Sequence, residues 1–256
     1  MSRPLNLAIA LFAAAVLASG GIALGQSDDD IEIGEAPGEF EFVRLAYSGN
    51  RYAQSGRGQA WRTDWPDAEH HFLRGVNRLT TVDAAEEGLI MIPLDADIFD
   101  YPWLYAVEVG YWHLNDQEAA HLREYLLRGG FLMVDDFHGS FEWAMFKASM
   151  DRVFPDRPIV DIAEGDEAFH VLYDLNQRIQ IPSRMFIYSG QTWERDGVTP
   201  HWRGIYDDHG RLMVAINHNM DIGDAWEHAD WPDYPENMTA LAYRFGINYL
   251  IYAMTH

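Results

Sequence analysis

Two short stretches of the chain concentrate side chains suited to acid–base or metal chemistry. The first, Asp135-Asp136-Phe137-His138, directly follows the apolar run 131–134. Two adjacent carboxylates and an imidazole can bind a divalent cation or act as general acid and base. We therefore take Asp135, Asp136 and His138 as candidate catalytic residues, and Asp136 and His138 also as candidate metal ligands.

The second stretch is the acidic segment 218–228, which follows a predicted hairpin strand and adds His218, Asp221, Glu227 and His228 as candidate metal ligands. Its spacing matches no established metal motif, since His-Glu-x-x-His and the EF-hand pattern are both absent. A structural alternative applies to both stretches. Asp135 can cap a helix or accept hydrogen bonds from loop amides, and an acidic loop is expected in so acidic a chain.

Four aromatic residues and one histidine are weaker candidates for binding a ligand. The aromatic residues are Tyr101, Trp103, Trp226 and Trp231, whose rings can stack on sugars, although such rings more often pack in a core. His170 comes shortly after Asp166 and Glu167 and can face the same cleft as the two acidic stretches.

Arg44 is a further candidate ligand-binding residue, within an alternating apolar pattern that predicts a first strand over residues 40–47. A buried arginine must be paired with an acid. We expect Asp135 or Asp136 to be that partner, which would give the acidic turn a structural role.

Charge and composition exclude several functional classes. The chain carries 18 basic and 40 acidic residues, a formal net charge of −22, so it lacks the basic surface that nucleic-acid binding requires. Cysteine is absent, which excludes disulfides, thiolate nucleophiles and cysteine metal sites. The serine-hydrolase elbow, the Walker loop and the dinucleotide fingerprint are also missing.

The N-terminus has the pattern of an export signal. Arg3 precedes a largely apolar run over residues 5–18, and small residues at 23–25 suit signal peptidase. We predict a signal peptide over residues 1–25, a flexible mature N-terminus over 26–38, and a periplasmic or secreted protein without a membrane span after cleavage. The alternative is an uncleaved membrane anchor, because residues 5–24 are long enough to cross a bilayer.

Residues 39–256 are predicted to form a single α/β domain. Helices are expected at 65–79, 141–153 and 237–252. A further helix is expected to begin at Asn115, where Glu118 completes a capping box, and to end at Gly129-Gly130. Strands are expected at 80–82, 89–92, 103–109, 131–134 and 159–162, with a hairpin over 204–216. This alternation predicts a mostly parallel sheet covered by helices, followed by a C-terminal hairpin and helix.

Five segments together resemble a bacterial family called domain of unknown function 4159. They are residues 42–47, 61–67, 101–104, 122–136 and 246–248. The resemblance implies a three-layer flavodoxin-like fold, similar to class I glutamine amidotransferases and ThuA-like proteins, and implies no assigned activity. Amidotransferase chemistry is excluded here because the turn after residue 134 carries no cysteine nucleophile.

The leading functional hypothesis is a non-catalytic binding or assembly role, since an amidotransferase-like scaffold lacks its nucleophile. A cleft at the carboxyl edge of the sheet would hold a small polar ligand or a protein partner of the cell envelope. The alternative is a metal-dependent hydrolase acting on glycans. A third possibility is a scaffold whose cleft is filled by its own side chains. No cofactor is evident, although the two acidic stretches are compatible with a divalent metal.

Overall fold

A computed structural model describes residues 38–50 and 59–256, and the signal peptide and most of the flexible N-terminus predicted above lie outside these residues. The strands are β1 (Val43–Leu45), β2 (Ser48–Gly49), β3 (Leu89–Met91), β4 (Trp103–Val107), β5 (Trp112–His113), β6 (Phe131–Asp135), β7 (Val160–Asp161), β8 (His201–Tyr206) and β9 (Leu212–His218). The helices are α1 (Asp67–Leu79), α2 (Asp116–Leu127), α3 (Gly139–Val153), α4 (Met185–Ser189), α5 (Ile222–Glu227) and α6 (Glu236–Thr255).

A seven-stranded sheet forms the centre of the protein, in the order β3-β1-β4-β6-β9-β8-β7. Neighbouring strands from β3 to β9 run parallel, whereas β8 pairs antiparallel with both β9 and β7. Strands β2 and β5 form a separate antiparallel pair. The prediction of a mixed α/β protein with a mostly parallel sheet and a late hairpin is confirmed.

Helices cover both faces of this sheet. In β4 the side chains of Trp103, Tyr105 and Val107 pack in one core with α1, α5 and α6. Leu104 and Ala106, between them, pack in a second core with α2 and α3. Because successive strand residues point to opposite faces, one apolar strand contributes to both cores.

The unit from α2 to β6 follows its sequence pattern closely. The side chain of Asn115 accepts hydrogen bonds from the backbone N–H groups of Gln117 and Glu118. In return, the side chain of Glu118 accepts a hydrogen bond from the backbone N–H of Asn115. The helix ends before Gly129, whose φ of +115° suits glycine. All five residues of β6 are buried, so the predicted capping box, helix stop and buried strand are confirmed.

Some predicted boundaries were wrong. Residues 80–82 do not form a strand, because Thr80 ends α1, with its backbone N–H and its hydroxyl both donating to Val76 O. The first strand is shorter than predicted, and Phe40 makes only an isolated bridge to Ala84. Within the described part of the chain, no helix combines the length and apolar character needed to span a membrane.

Candidate functional site

A cavity of about 340 Å³ opens where parallel strands of the sheet end. Segments that follow β1, β4, β6 and β9 contribute to its wall, together with the segment 183–195. Seven of the lining side chains are carboxylates and two are arginines: Asp64, Glu108, Asp136, Glu194, Asp221, Asp224 and Glu227, with Arg184 and Arg195. The excess of acids gives the cavity a negative potential that favours a cation.

Asp135 anchors helix α5 to the end of β6. Its Oδ2 accepts from the backbone N–H groups of Ile222 and Gly223, at 2.6 and 3.0 Å. Burial and, to a smaller extent, the adjacent Asp136 carboxylate raise the pKa of Asp135 to about 8. The carboxyl is fully buried and does not line the cavity, so its contacts match the alternative of an acceptor for loop amides.

Asp136 and His138 form a buried pair on the cavity wall. Asp136 adopts a left-handed φ of +49°, and its Oδ1 lies 3.0 Å from His138 Nε2. Burial raises the pKa of Asp136 well above its usual range, and Asp224 contributes next. Burial also lowers the pKa of His138, which favours the neutral imidazole. In the described residues His138 Nδ1 has no hydrogen-bond partner.

Three carboxylates from distant parts of the chain converge beside this pair. Ligand-type oxygens of Asp64, Asp221 and Asp224 lie within 4.8 Å of one another. Burial raises the pKa of both Asp64 and Asp221, and neighbouring carboxylates raise it further because like charges repel. Asp64 Oδ2 is buried and finds no hydrogen-bond donor among the described residues. A proton or a bound cation would relieve this repulsion.

A second group of ligand-type atoms shares Asp224. It comprises Asp224, Glu227 and His228, again within 4.8 Å of one another. His228 Nε2 lies 3.3 Å from Glu227 Oε2. Burial is the main cause that raises the pKa of Glu227 to about 7. Oxygen and imidazole ligands at this spacing are compatible with a divalent cation.

The prediction that Arg44 pairs with Asp135 or Asp136 was wrong. The guanidinium is buried and pairs with Glu69 of α1, and it donates to the backbone oxygens of Trp61 and Thr63 at 3.0 and 2.7 Å. It therefore holds the backbone immediately before Asp64, one of the converging carboxylates. This arginine is enclosed by protein and does not line the cavity.

A second ion pair crosses the cavity wall. Arg195 pairs with Glu142 of α3, and its Nη2 donates to the hydroxyl of Tyr111 at 3.0 Å. Glu142 in turn accepts from the backbone N–H of His138 at 2.6 Å. The pair thus ties the turn after β6 to the segment 183–195, and Asp136 lies in the field of both charges.

The chain belongs to the family described as a domain of unknown function (DUF4159), whose model matches residues 41–254. No curated protein that was compared with the chain matches it. The family match covers every residue of the cavity but assigns no activity to it.

The structure of this DUF4159 domain unites part of the predicted site. Asp136, His138, Asp221 and Glu227 line one cavity, and His228 adjoins them through Asp224. His218 is separate, since it lines a neighbouring cavity.

The proposed aromatic platform is contradicted. Trp103 and Trp226 are fully buried in the core, so no ligand can stack on them. Tyr101 lines a different cavity, near the start of β4. His170 is bound to Asp174 and to Glu164 O, and it lies outside the acidic cavity.

Sequence reasoning missed several wall residues of the DUF4159 cavity. No motif or spacing marks Glu108 and Glu194, and Asp64 lies in segment 61–67, which carries the family resemblance without pointing to a role for this residue. Asp224 lies inside the acidic stretch after β9, three residues after Asp221, which caps the N-terminus of α5 by accepting a hydrogen bond from the backbone N–H of Asp224. That spacing is the signal in the sequence that predicts a short helix at this point.

Proposed function

We propose that this DUF4159 domain binds a divalent cation in the acidic cavity and uses it to hold a small polar ligand or a segment of an envelope partner. The convergence of Asp64, Asp221 and Asp224 carries the proposal, together with the buried Asp64 oxygen that lacks a donor within the described residues. Carboxylate oxygens suit hard cations such as Ca²⁺ and Mg²⁺.

The role proposed is binding rather than turnover. The cavity of about 340 Å³ leaves room for a ligand beside a cation. Three carboxylates that each offer one oxygen supply fewer ligands than the roughly six to eight that Ca²⁺ takes, so oxygen atoms of that ligand would complete the coordination. Arg184 lies on the same wall and can pair with an anionic group of the ligand.

Isothermal titration with Ca²⁺, Mg²⁺ and Mn²⁺ tests the cation site. Asp64→Asn is the informative variant, because it removes a charge from an oxygen that has no hydrogen bond to lose among the described residues. We expect saturable binding by the parent chain and at least about tenfold weaker binding by this variant. Asp233→Asn, on an exposed loop, is the matched control and should bind like the parent.

Two results would end the proposal: no saturable binding of any of these cations, or equal affinity of Asp64→Asn and the parent for them.

Thermal-shift screens of the cation-bound protein with sugars and peptides test which ligand binds. The same screens in EDTA test whether that binding requires the cation. Turnover of a ligand would instead support the metal-dependent hydrolase, in which the neutral His138 would act as base and the protonated Asp136 as acid.

We also propose that the sheet is flavodoxin-like, related to the amidotransferase and ThuA-like folds. The parallel strands support this, because the order β3-β1-β4-β6-β9 corresponds to the flavodoxin order 2-1-3-4-5. In such sheets ligands bind beyond the carboxyl ends of the strands near the switch in strand order. That point lies between β1 and β4, whose following segments contribute Asp64 and Glu108 to the cavity.

We propose export to the periplasm or the cell exterior, supported by Arg3, the apolar run 5–18 and the small residues 23–25. Mass spectrometry of the mature N-terminus tests this. Cleavage near residue 25 is the expected result, and an intact N-terminus in a membrane fraction would favour the anchored alternative.

A further inference from the structure

A second cavity, of about 320 Å³, adjoins the N-terminus of α3 and the ends of the hairpin strands. His201 of β8 and His218 of β9 both line it, and they are directly opposed in the antiparallel ladder. Their rings are 5.8 Å apart and nearly parallel, at 14°. The sheet therefore presents two imidazoles to one space.

His218 is held in a single ring orientation. Its side chain is buried, and the Phe137 and Trp143 rings each lie 4.9 Å from it. Its Nε2 lies 3.2 Å from Gly139 O, and only a protonated Nε2 can donate to a carbonyl oxygen. Burial lowers the pKa of His218 to about 3, so the ring is neutral at physiological pH. The lone pair consequently resides on Nδ1.

That Nδ1 is buried and has no hydrogen-bond partner in the residues that the structure describes. A buried polar atom without a partner costs about 1–3 kcal/mol, and a metal ion bound at this nitrogen would offset that cost. Metal-bound histidines usually donate their other ring N–H to a carbonyl or carboxylate. The contact between His218 and Gly139 O already has this arrangement.

The charged side chains around the cavity already have partners within the described residues. Both oxygens of Asp196 accept hydrogen bonds from Ser140. Arg203 is paired with Asp161 at 3.3 Å. Burial lowers the pKa of His201 as well, so it too is neutral at physiological pH.

We infer that His201 and His218 form a second metal site, separate from the acidic cavity, for a transition ion that prefers imidazole, such as Cu²⁺, Ni²⁺ or Zn²⁺. Water or a ligand in the cavity completes the coordination. This inference does not depend on the proposed function, because the two sites share no residue and select different classes of cation.

Cu²⁺ is the probe, since it binds nitrogen sites most tightly among the divalent ions of its series. Titration of the full chain is followed by calorimetry and by electron paramagnetic resonance, which counts nitrogen ligands. Asp224→Asn is tested in parallel, because it removes the acid shared by both groups in the acidic cavity. We expect Asp224→Asn to keep one Cu²⁺ with two nitrogen ligands, whether or not the acidic cavity of the parent takes a further ion.

His201→Ala and His201→Asn should each weaken Cu²⁺ binding by more than about tenfold and leave at most one nitrogen ligand. His201 is only partly buried, and circular dichroism confirms that each variant is folded. His209→Ala, in the exposed hairpin turn, is the matched control and should bind like the parent. Unchanged affinity in the folded His201 variants, or fewer than two nitrogen ligands in the parent, overturns the inference.

Discussion

Arg44 shows how one buried charge organises the backbone beside the acidic cavity. Its guanidinium joins Glu69 of α1 to the carbonyl oxygens of Trp61 and Thr63. The ion pair is completely enclosed, so neither charge has access to water when its partner is removed. The position of Asp64, one residue beyond Thr63, therefore depends on an interaction within the core.

Replacing Arg44 with Met should destabilise the protein by about 3–5 kcal/mol, because an unpaired buried carboxylate remains. Urea unfolding measures the loss. Arg128→Met is the control, since Arg128 pairs with Glu124 in solvent, and it should change stability by less than about 1 kcal/mol. The double variant Arg44→Met/Glu69→Leu should recover part of the loss; no recovery would contradict this account of the pair.

Asp135 predicts a pH dependence of stability. Its pKa is raised to about 8 in the folded state, against about 4 in an unfolded chain. The folded state thus binds the extra proton, and this stabilising contribution is complete below about pH 4 and is lost as pH rises through about 8. Burial gives Glu227 a pKa raised in the same direction, to about 7.

In EDTA, the free energy of unfolding of the parent should therefore fall between pH 5 and pH 8, as the carboxyls lose their protons. Asp135→Asn keeps an oxygen acceptor for the amides of Ile222 and Gly223 but cannot ionise. Chemical denaturation at each pH should give this variant a shallower slope than the parent. An equal or steeper slope would show that Asp135 ionises normally in the folded protein.

At the scale of secondary structure, the start of α5 is packed closely against the acidic cavity. A Cβ on Gly223 would lie 2.5 Å from Asp64 Oδ2 and 2.7 Å from the hydroxyl of Tyr105. The same glycine donates its N–H to Asp135. Only a residue without a side chain lets α5 approach both β6 and the segment before α1.

Gly223→Ala should destabilise the protein by about 1–3 kcal/mol, since neighbouring atoms must move. It should also weaken cation binding, because Asp64 and α5 would separate. Thermal unfolding and calorimetric titration measure the two effects. Gly165→Ala is the matched control, because a Cβ there meets no atom within 4 Å. Parent-like cation affinity in Gly223→Ala would argue against a site that depends on this approach.

At the scale of the whole molecule, a net charge of −22 produces strong self-repulsion. Eight described arginines each lie within ion-pairing distance of a carboxylate, but the acids greatly outnumber them. The acidic cavity adds to this excess in a partly buried place, where salt screens charge poorly.

Raising NaCl from about 0.01 M to 1 M shortens the Debye length from about 30 Å to about 3 Å and should raise Tm. Each kcal/mol of relieved repulsion corresponds to about 2–4 °C in a domain of this size. Scanning calorimetry at fixed pH measures the shift. Millimolar Ca²⁺ at constant ionic strength should add a separate, saturable increase that Asp64→Asn lacks. A Tm that falls with NaCl would mean that the ion pairs outweigh the repulsion.

Local patterns were enough to predict much of the architecture. The capping box of Asn115 with Glu118, the stop at Gly129 and the apolar β6 depend on neighbours in the chain, and all three were correct. Thr80 was wrongly assigned to a strand, because its β-branched side chain and those of its neighbours are typical of strands. In the structure its hydroxyl instead donates a hydrogen bond to Val76 O in the last turn of α1.

The amino-acid sequence alone determined the α/β class and two of the acidic stretches that face the cavity, since hydrophobic periodicity and the ends of buried strands are local properties. Only the tertiary structure decided which charges meet. It paired Arg44 with Glu69 instead of Asp135 or Asp136, brought in Asp64, and separated His218 from the acids to place it opposite His201. Such contacts join residues far apart in the chain, and their distances depend on how strands and helices pack.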